Sequence, residues 1–259
     1  MKVSLITGAS SGIGEAFARR LGAEKHNLVL VARSEKALHE LCDEMMLKHK
    51  IMAHYVVLDL AEPDADRKLF EETERCGFEV NWLINNAGFG SVGDFAKLEV
   101  DRELQMIELN IAALVAITHT YLKGMRERKR GTIINVSSAA GFQPIPFMAT
   151  YAATKAFVSS FTEAIAEENR PYGIQIIALC PGSTKTNFFA ASNIERPIQV
   201  KGQQTVEDVV ETAMRAVASG RTKVISGTAN KIGAMLGKFT PNFISRRVMA
   251  KMLSPRFQK

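Results

Sequence analysis

Apolar runs alternate with longer amphipathic segments along most of the chain. The pattern predicts strands at Val3–Thr7, Leu28–Val31, Met52–Leu58, Trp82–Asn85, Thr132–Val136, Gln175–Leu179 and Lys223–Ile225. Most are continuous apolar runs, as expected of strands covered on both faces of a parallel sheet. Between them, Ile13, Ala16, Phe17 and Leu21 recur with helical spacing, and so do Leu104, Ile107, Ile111 and Leu114. A βαβα alternation of this kind predicts an α/β fold, a doubly wound parallel sheet of about seven strands with helices on both faces. No internal repeat, low-complexity tract or Pro/Ser-rich linker interrupts it, so residues 1–227 are expected to form a single catalytic-type domain. Residues 228–259 then form a short helical extension.

Composition narrows the class. The 259 residues are 46% hydrophobic and 23% charged, which excludes disorder as the main state. Cys42, Cys76 and Cys180 are odd in number and contain no CxxC pair. They predict neither a disulfide framework nor a zinc motif. His26, His39, His49, His54 and His119 show no ligand spacing, so no metal is expected. Met1–Gly8 is a short strand running into glycine, and no apolar run reaches signal-peptide or membrane-span length. A soluble cytoplasmic protein is expected. The net charge of +6 is unevenly spread: Thr212–Lys259 holds ten Lys/Arg and no Asp/Glu, while the first 211 residues carry 23 basic and 27 acidic groups.

Candidate chemistry begins with Thr7-Gly8-Ala9-Ser10-Ser11-Gly12-Ile13-Gly14, placed between the first strand and the first helix. Glycines there let backbone approach a pyrophosphate, and free N–H groups at a helix N-terminus favour an anion. The spacing Gly-x-x-x-Gly-x-Gly differs from the common dinucleotide Gly-x-Gly-x-x-Gly. The second strand ends in Ala32-Arg33-Ser34, with no carboxylate for a ribose 2′-hydroxyl. Arg33 suits a 2′-phosphate, with Ser34 adding a hydrogen bond, which predicts NADP(H) in preference to NAD(H).

Tyr151 and Lys155 are four residues apart, on one face of a predicted helix. The ammonium is expected to draw the tyrosine pKa down toward working pH. Ser138 lies thirteen residues earlier, at the end of the fifth predicted strand, where a parallel sheet presents its ligand site. Neighbouring Ser137 is the fallback candidate.

Together these segments resemble the short-chain dehydrogenase/reductase family in its ~250-residue form. The resemblance rests on Thr7–Gly14, Asn85-Asn86-Ala87-Gly88, Asn110, Ser138, Tyr151-x-x-x-Lys155 and Pro181-Gly182, in family order across residues 1–226. It implies Tyr151 as general acid in carbonyl reduction and as base in alcohol oxidation. It also implies Lys155 tuning the tyrosine and holding the nicotinamide ribose, Ser138 orienting the substrate oxygen, and Asn110 holding a relay water. The implied cofactor residues are Gly8, Ser10, Ser11, Gly12, Ile13, Gly14, Arg33, Ser34, Asp59, Leu60, Asn86, Ala87, Gly88, Tyr151, Lys155, Pro181, Gly182, Thr184 and Thr186. Thr184 departs from the aliphatic residue usual at its position, which puts its packing in question.

The expected activity is an NADP(H)-dependent oxidoreductase acting on a carbonyl or alcohol, with a non-catalytic nucleotide-sensing or binding module of the same fold as the alternative. The intact Ser138/Tyr151/Lys155/Asn110 set favours the enzyme. Phe142, Phe147, Phe188 and Phe189 are candidates to line an apolar substrate pocket. Asn187–Asn193 is expected to form a lid.

In the tail, Ile232, Met235, Leu236 and Phe239 make one stripe. Ile244, Val248, Met249 and Met252 make a second, after a Thr240-Pro241 helix start. Two basic amphipathic helices suit an anionic membrane surface, a cap on the domain or a subunit interface. Packing on protein is expected, with a homo-oligomer (dimer or tetramer), and no nucleic-acid partner.

Overall fold

In the computed structural model, which describes residues 1–186, 188, 203–239 and 242–253, each predicted apolar run is a strand. They are β1 (Lys2–Thr7), β2 (Leu28–Ala32), β3 (Ala53–Val57), β4 (Glu79–Asn85), β5 (Gly131–Val136), β6 (Ile174–Cys180) and β7 (Lys223–Ile225). All pair in parallel in one sheet of order β3-β2-β1-β4-β5-β6-β7. The helices are α1 (Gly12–Ala23), α2 (Glu35–His49), α3 (Ala65–Arg75), α4 (Val100–Ile107), α5 (Leu114–Glu127), α6 (Ala149–Asn169), α7 (Val206–Ala218), α8 (Thr228–Phe239) and α9 (Asn242–Leu253). The fold is a Rossmann-like doubly wound sheet. Among the described residues no helix is long and apolar enough to cross a membrane.

The inner strands read as largely apolar runs because both sheet faces are covered there, whereas no residue of the edge strands β3 and β7 is buried. Ile6, Leu30, Ile84, Ile134 and Ile177 meet Phe17, Leu21, Leu38, Met45 and Val209 of α1, α2 and α7. Leu5, Val29, Leu83, Ile133 and Ile176 meet Leu69, Ile117, Tyr121, Met125 and Ile165 of α3, α5 and α6. Phe17 is fully buried, so truncation to alanine costs about 3–5 kcal/mol in lost transfer energy and cavity.

One predicted stripe divides. Leu114 is buried, but Leu104 and Ile107 are exposed, and Glu103 and Met106 take the inward positions on α4. A π turn, Glu108–Ala113, joins α4 to α5. It winds less per residue than an α-helix, so it carries Leu104 around the axis away from the face of Leu114. The turn also holds Asn110.

From β1 the chain runs outward through β2 and β3, then returns to β4 on the other side of β1. The carboxyl ends of β1 and β4 therefore flank a crevice at the topological switch point, where ligands of open α/β sheets bind.

Candidate active site

The glycine loop after β1 is shaped by close backbone approach. Gly8 and Gly12 have positive φ, +64° and +60°, which β-carbon-bearing residues adopt only with strain. A side chain at Gly14 would collide with the Gly8 carbonyl oxygen, and one at Gly8 would come within 2.8 Å of Asn86 Nδ2. Asn86 is the reason the space is taken. Its Nδ2 donates to the Thr7 and Gly8 carbonyls at 3.0 and 3.1 Å. The backbone N–H groups of Asn86 and Ala87 donate to Thr7 Oγ1. The ends of β1 and β4 are thus stitched together. Ser11 starts α1 without a side-chain hydrogen bond to its first turn, so the first-turn N–H groups remain available to an anion.

At the end of β2, Arg33 and Ser34 are exposed. Arg33 Nη1 stands 3.5 Å from Asp59 Oδ2, with the Arg33 side chain 75% exposed. The sequence left this strand end without a carboxylate; the fold supplies one from the turn after β3. A loose, solvated pair of this kind is weak. The other Asp59 oxygen accepts from the Ala61 N–H at 3.0 Å, and adjacent Leu60 is buried. Ser10 and Ile13 lie in the glycine loop and the start of α1, both half-buried.

Ser138 beyond β5, Tyr151 and Lys155 on the first turns of α6, and Asn110 on the π turn lie in one region. Ser138 follows β5 and accepts a hydrogen bond from Ala140 N–H at 3.1 Å. Tyr151 stands near it on α6, and its ring is buried and lies 5.3 Å from the Phe188 ring. Lys155 is buried and donates from Nζ to the Val136 carbonyl at 3.0 Å. Asn110 is buried; its Nδ2 donates to Phe89 O at 2.9 Å and Thr154 Oγ1 at 3.1 Å, while its Oδ1 accepts from Phe89 N–H. A side chain on Gly88 would lie 2.7 Å from Asn110 Oδ1 and 3.5 Å from Lys155 Nζ, so glycine there leaves room for both side chains.

The expected fall of the tyrosine pKa does not occur. Burial pushes the Tyr151 hydroxyl up to about 12, against a lowering by the nearby Ser138 hydroxyl. Lys155 does not offset this, because its ammonium sits 5.9 Å from the ring centroid and is bonded to Val136 O. Burial pushes Lys155 itself down to about 8.

A buried polar frame braces these groups, and apart from Ser137 the sequence did not point to it. Asn85 Nδ2 donates to Thr118 Oγ1 and Asn135 Oδ1, both at 2.9 Å, and Asn135 Nδ2 donates to Thr162 Oγ1 at 3.0 Å. This ladder ties β4 and β5 to α5 and α6. Ser137 is a part of the same bracing: its hydroxyl donates to the Lys155 carbonyl at 2.7 Å and pairs with Ser159 Oγ at 2.8 Å. The signal that would have found Asn135 and Ser159 is polarity inside an otherwise apolar strand and helix face, since buried polar groups are kept only where partnered.

Beyond β6, the Pro181 carbonyl accepts from Ala139 N–H at 2.8 Å. Thr184 packs despite being polar: it is buried and its hydroxyl donates to Gly182 O at 3.0 Å. Thr186 Cγ2 would stand 3.2 Å from a side chain on Gly12, which brings the segment after β6 over the glycine loop. Of the candidate pocket rings, Phe188 meets Tyr151, whereas Phe142 lies beneath Lys223 Nζ at 4.9 Å, toward β7. Phe147 has positive φ and its carbonyl accepts from Gly93 N–H. Phe189 and the rest of the expected lid, apart from Phe188, lie outside the described residues, as do Thr240 and Pro241.

A switch-point crevice, a glycine loop and a Ser–Tyr–Lys cluster thus lie together at the strand carboxyl ends. The family model for short chain dehydrogenase matches residues 2–197, and the chain belongs to that family. It is 32% identical over 231 residues to a 7beta-hydroxysteroid dehydrogenase of Mediterraneibacter gnavus, covering 88% of this chain and 86% of the relative. It is 27% identical over 263 residues to the very-long-chain 3-oxoacyl-CoA reductase of Mus musculus, covering 99% and 82%. The solved short-chain dehydrogenase from Sphingobium yanoikuyae in complex with NADPH superposes with a TM-score of 0.83 at 28% identity, covering 92% and 93%.

Proposed function

We propose that this chain is an NADP(H)-dependent oxidoreductase that interconverts a carbonyl and an alcohol on a bulky, apolar substrate. The buried Tyr151, four residues before buried Lys155 and flanked by the Phe188 ring, carries the reading. Relatives named for a hydroxysteroid and a very-long-chain oxoacyl substrate support a large apolar ketone or alcohol.

The cofactor residues fit a dinucleotide. Gly8, Gly12 and Gly14 leave backbone where side chains would intrude, so Ser10, Ser11, Ile13 and the N–H groups opening α1 would hold the pyrophosphate. Arg33 and Ser34 would hold a 2′-phosphate. Asp59, Leu60 and Asn86 through Gly88 would line the adenosine side, and Pro181, Gly182, Thr184 and Thr186 the nicotinamide side. When bound, the nicotinamide supplies or accepts the hydride.

The protein's own part is acid–base. With its pKa pushed up, Tyr151 is a protonated acid at neutral pH and is set to give its proton to a carbonyl oxygen in reduction. Ser138 donates a hydrogen bond to the same oxygen and stabilises the developing charge. Lys155, fixed by Val136 O, places an ammonium beside the site. Asn110, bonded to the Phe89 backbone and Thr154 Oγ1, would support a water leading outward. Phe188 shields the reacting carbon from solvent.

We also propose a homo-oligomer, since Leu104 and Ile107 of α4 and Phe157 of α6 expose apolar surface on helices that pack together.

The test is NADPH- and NADH-dependent absorbance change across a panel of hydroxysteroids, long-chain 3-oxoacyl thioesters and bulky aromatic ketones. Turnover with NADPH is expected, falling at least about a hundredfold in Tyr151→Phe while cofactor affinity is kept. Near-normal kcat in that variant would refute the role of Tyr151. Cofactor binding with no turnover across the panel would favour the binding-module alternative.

A further inference from the structure

The histidines and cysteines have no ligand spacing along the chain, yet folding brings three donor groups together at the far side of the sheet. Glu72 is in the last turn of α3 and Cys76 caps that helix four residues later, so both face one side. His54 is the second residue of the edge strand β3. His54 Nε2 lies 3.1 Å from Glu72 Oε1, and Cys76 Sγ lies 3.6 Å from the same oxygen. The three donor atoms all fall within 4.8 Å of one another, and among the described residues no other trio of His, Cys, Asp or Glu gathers this way.

We infer that His54, Glu72 and Cys76 form a surface site for a zinc-type divalent cation. Zinc bonds of about 2.0–2.3 Å place tetrahedral donors roughly 3.3–3.8 Å apart, close to these separations. One imidazole, one carboxylate and one thiol select zinc over magnesium or calcium, which prefer all-oxygen shells. A thiolate and a carboxylate balance the charge of one divalent ion. On binding, the Cys76 S–H bond breaks, the sulfur pair goes to the metal and the proton goes to solvent.

The framework is already in place. The Cys76, Gly77 and Phe78 N–H groups are bonded to Glu72 O, Glu74 O and Thr73 O, which fixes the turn that carries the thiol. The Phe78 ring packs edge-on against His54 at 5.6 Å and sets the imidazole plane. Arg75 is the competitor: its guanidinium donates to both Glu72 oxygens, at 3.0 and 2.7 Å. Its side chain is 70% exposed, so it can give up Oε1 and remain in water. The donors sit near the amino end of β3 and the approach to β4, whereas the cofactor crevice lies at the strand carboxyl ends. The site is therefore separate from the proposed catalysis. Three protein donors at a partly exposed position leave a fourth place for water or for a group from a partner.

The experiment titrates the full-length protein with Zn²⁺ in competition with a chromophoric chelator, and with Co²⁺ followed by absorbance. One equivalent of Zn²⁺ is expected, with a thiolate-to-cobalt charge-transfer band in the near ultraviolet. Cys76→Ser should abolish that band, and His54→Gln should weaken zinc binding roughly tenfold or more. Absence of stoichiometric binding, or a charge-transfer band that survives in Cys76→Ser, overturns the site. A variant-free arm uses the two buried thiols, Cys42 and Cys180, as internal references. One equivalent of Zn²⁺ should slow iodoacetamide labelling of Cys76, and an unchanged labelling rate refutes the inference.

Discussion

Lys155 Nζ donates to the carbonyl oxygen of Val136 at 3.0 Å, joining the helix that carries Tyr151 to the last residue of the strand that leads to Ser138. The bond fixes the ammonium in a buried place, and burial pushes its pKa down to about 8. Unfolding returns the amine to an ordinary lysine value. Between about pH 8 and 10 the unfolded chain therefore binds more protons at this position than the folded one, and stability gains with rising pH. Below about pH 8 both states are protonated and the gain is lost. Melting temperature compared between wild type and Lys155→Met should show this as a relative rise of the wild type, on the order of 5 °C from pH 7.5 to 9.5. Parallel curves for the two proteins would mean that Lys155 titrates normally in the fold.

Arg33 is a selectivity determinant only if a 2′-phosphate is its partner. The existing contact to Asp59 is long and exposed, so exchanging it for a doubly charged phosphate is favourable. Arg33→Ala should lose roughly tenfold in NADPH affinity and little in NADH affinity, measured by fluorescence titration. Equal losses for both cofactors would assign Arg33 to general electrostatics or to structure.

The exposed apolar residues on α4 and α6 lead to a solution measurement. Phe157 stacks on Phe161 at 5.8 Å and remains 40% exposed, which is a large ring to leave in water. Phe157→Asp should shift sedimentation toward a smaller species with far-UV circular dichroism unchanged. A wild-type protein that sediments as a monomer would end the proposal of self-association through this face.

The C-terminal helices divide in their packing. Asn230 of α8 fills the space beside Gly182, where any side chain would collide with it, and Ala234 is buried. Ile232, Phe243 and Val248 are exposed. Deleting Thr228–Lys259 should therefore loosen the segment after β6 and lower the melting temperature by at least about 4 °C, with aggregation on heating. A truncated protein that is as stable and active as the full chain, and has lost salt-sensitive binding to anionic vesicles, would assign the segment to a membrane surface instead.

The five inner strands, β2, β1, β4, β5 and β6, were legible because burial on both faces forces apolar continuity, a signal that survives without neighbours. The Gly8–Gly14 loop was legible for a related reason: close backbone approach admits no side chain, so the constraint is written as residue type. The pKa of Tyr151 was not. Four-residue spacing to Lys155 sets a shared helix face, but whether the ammonium points at the ring depends on Val136 O, which is distant in sequence. The Leu104–Leu114 stripe misled for the same kind of reason, since no residue type announces a π turn. The Arg33–Asp59 contact likewise depends on β2 and β3 lying side by side, and the pairing of His54 with Glu72 and Cys76 on where α3 ends.

The π turn between α4 and α5 has an evolutionary consequence. By breaking rotational phase, it uncouples the two ends of what would otherwise be one long rod. Substitutions at Val100, Leu104 or Ile107 can retune the outer surface without disturbing Ile117, Tyr121 or Met125 against the sheet. A single-residue deletion inside Glu108–Ala113 has the opposite character. It would restore an even helical pitch, swing Asn110 off the Phe89 backbone and Thr154, and turn the two halves relative to each other. The segment should accordingly tolerate changes of residue on α4 far better than changes of length at its centre.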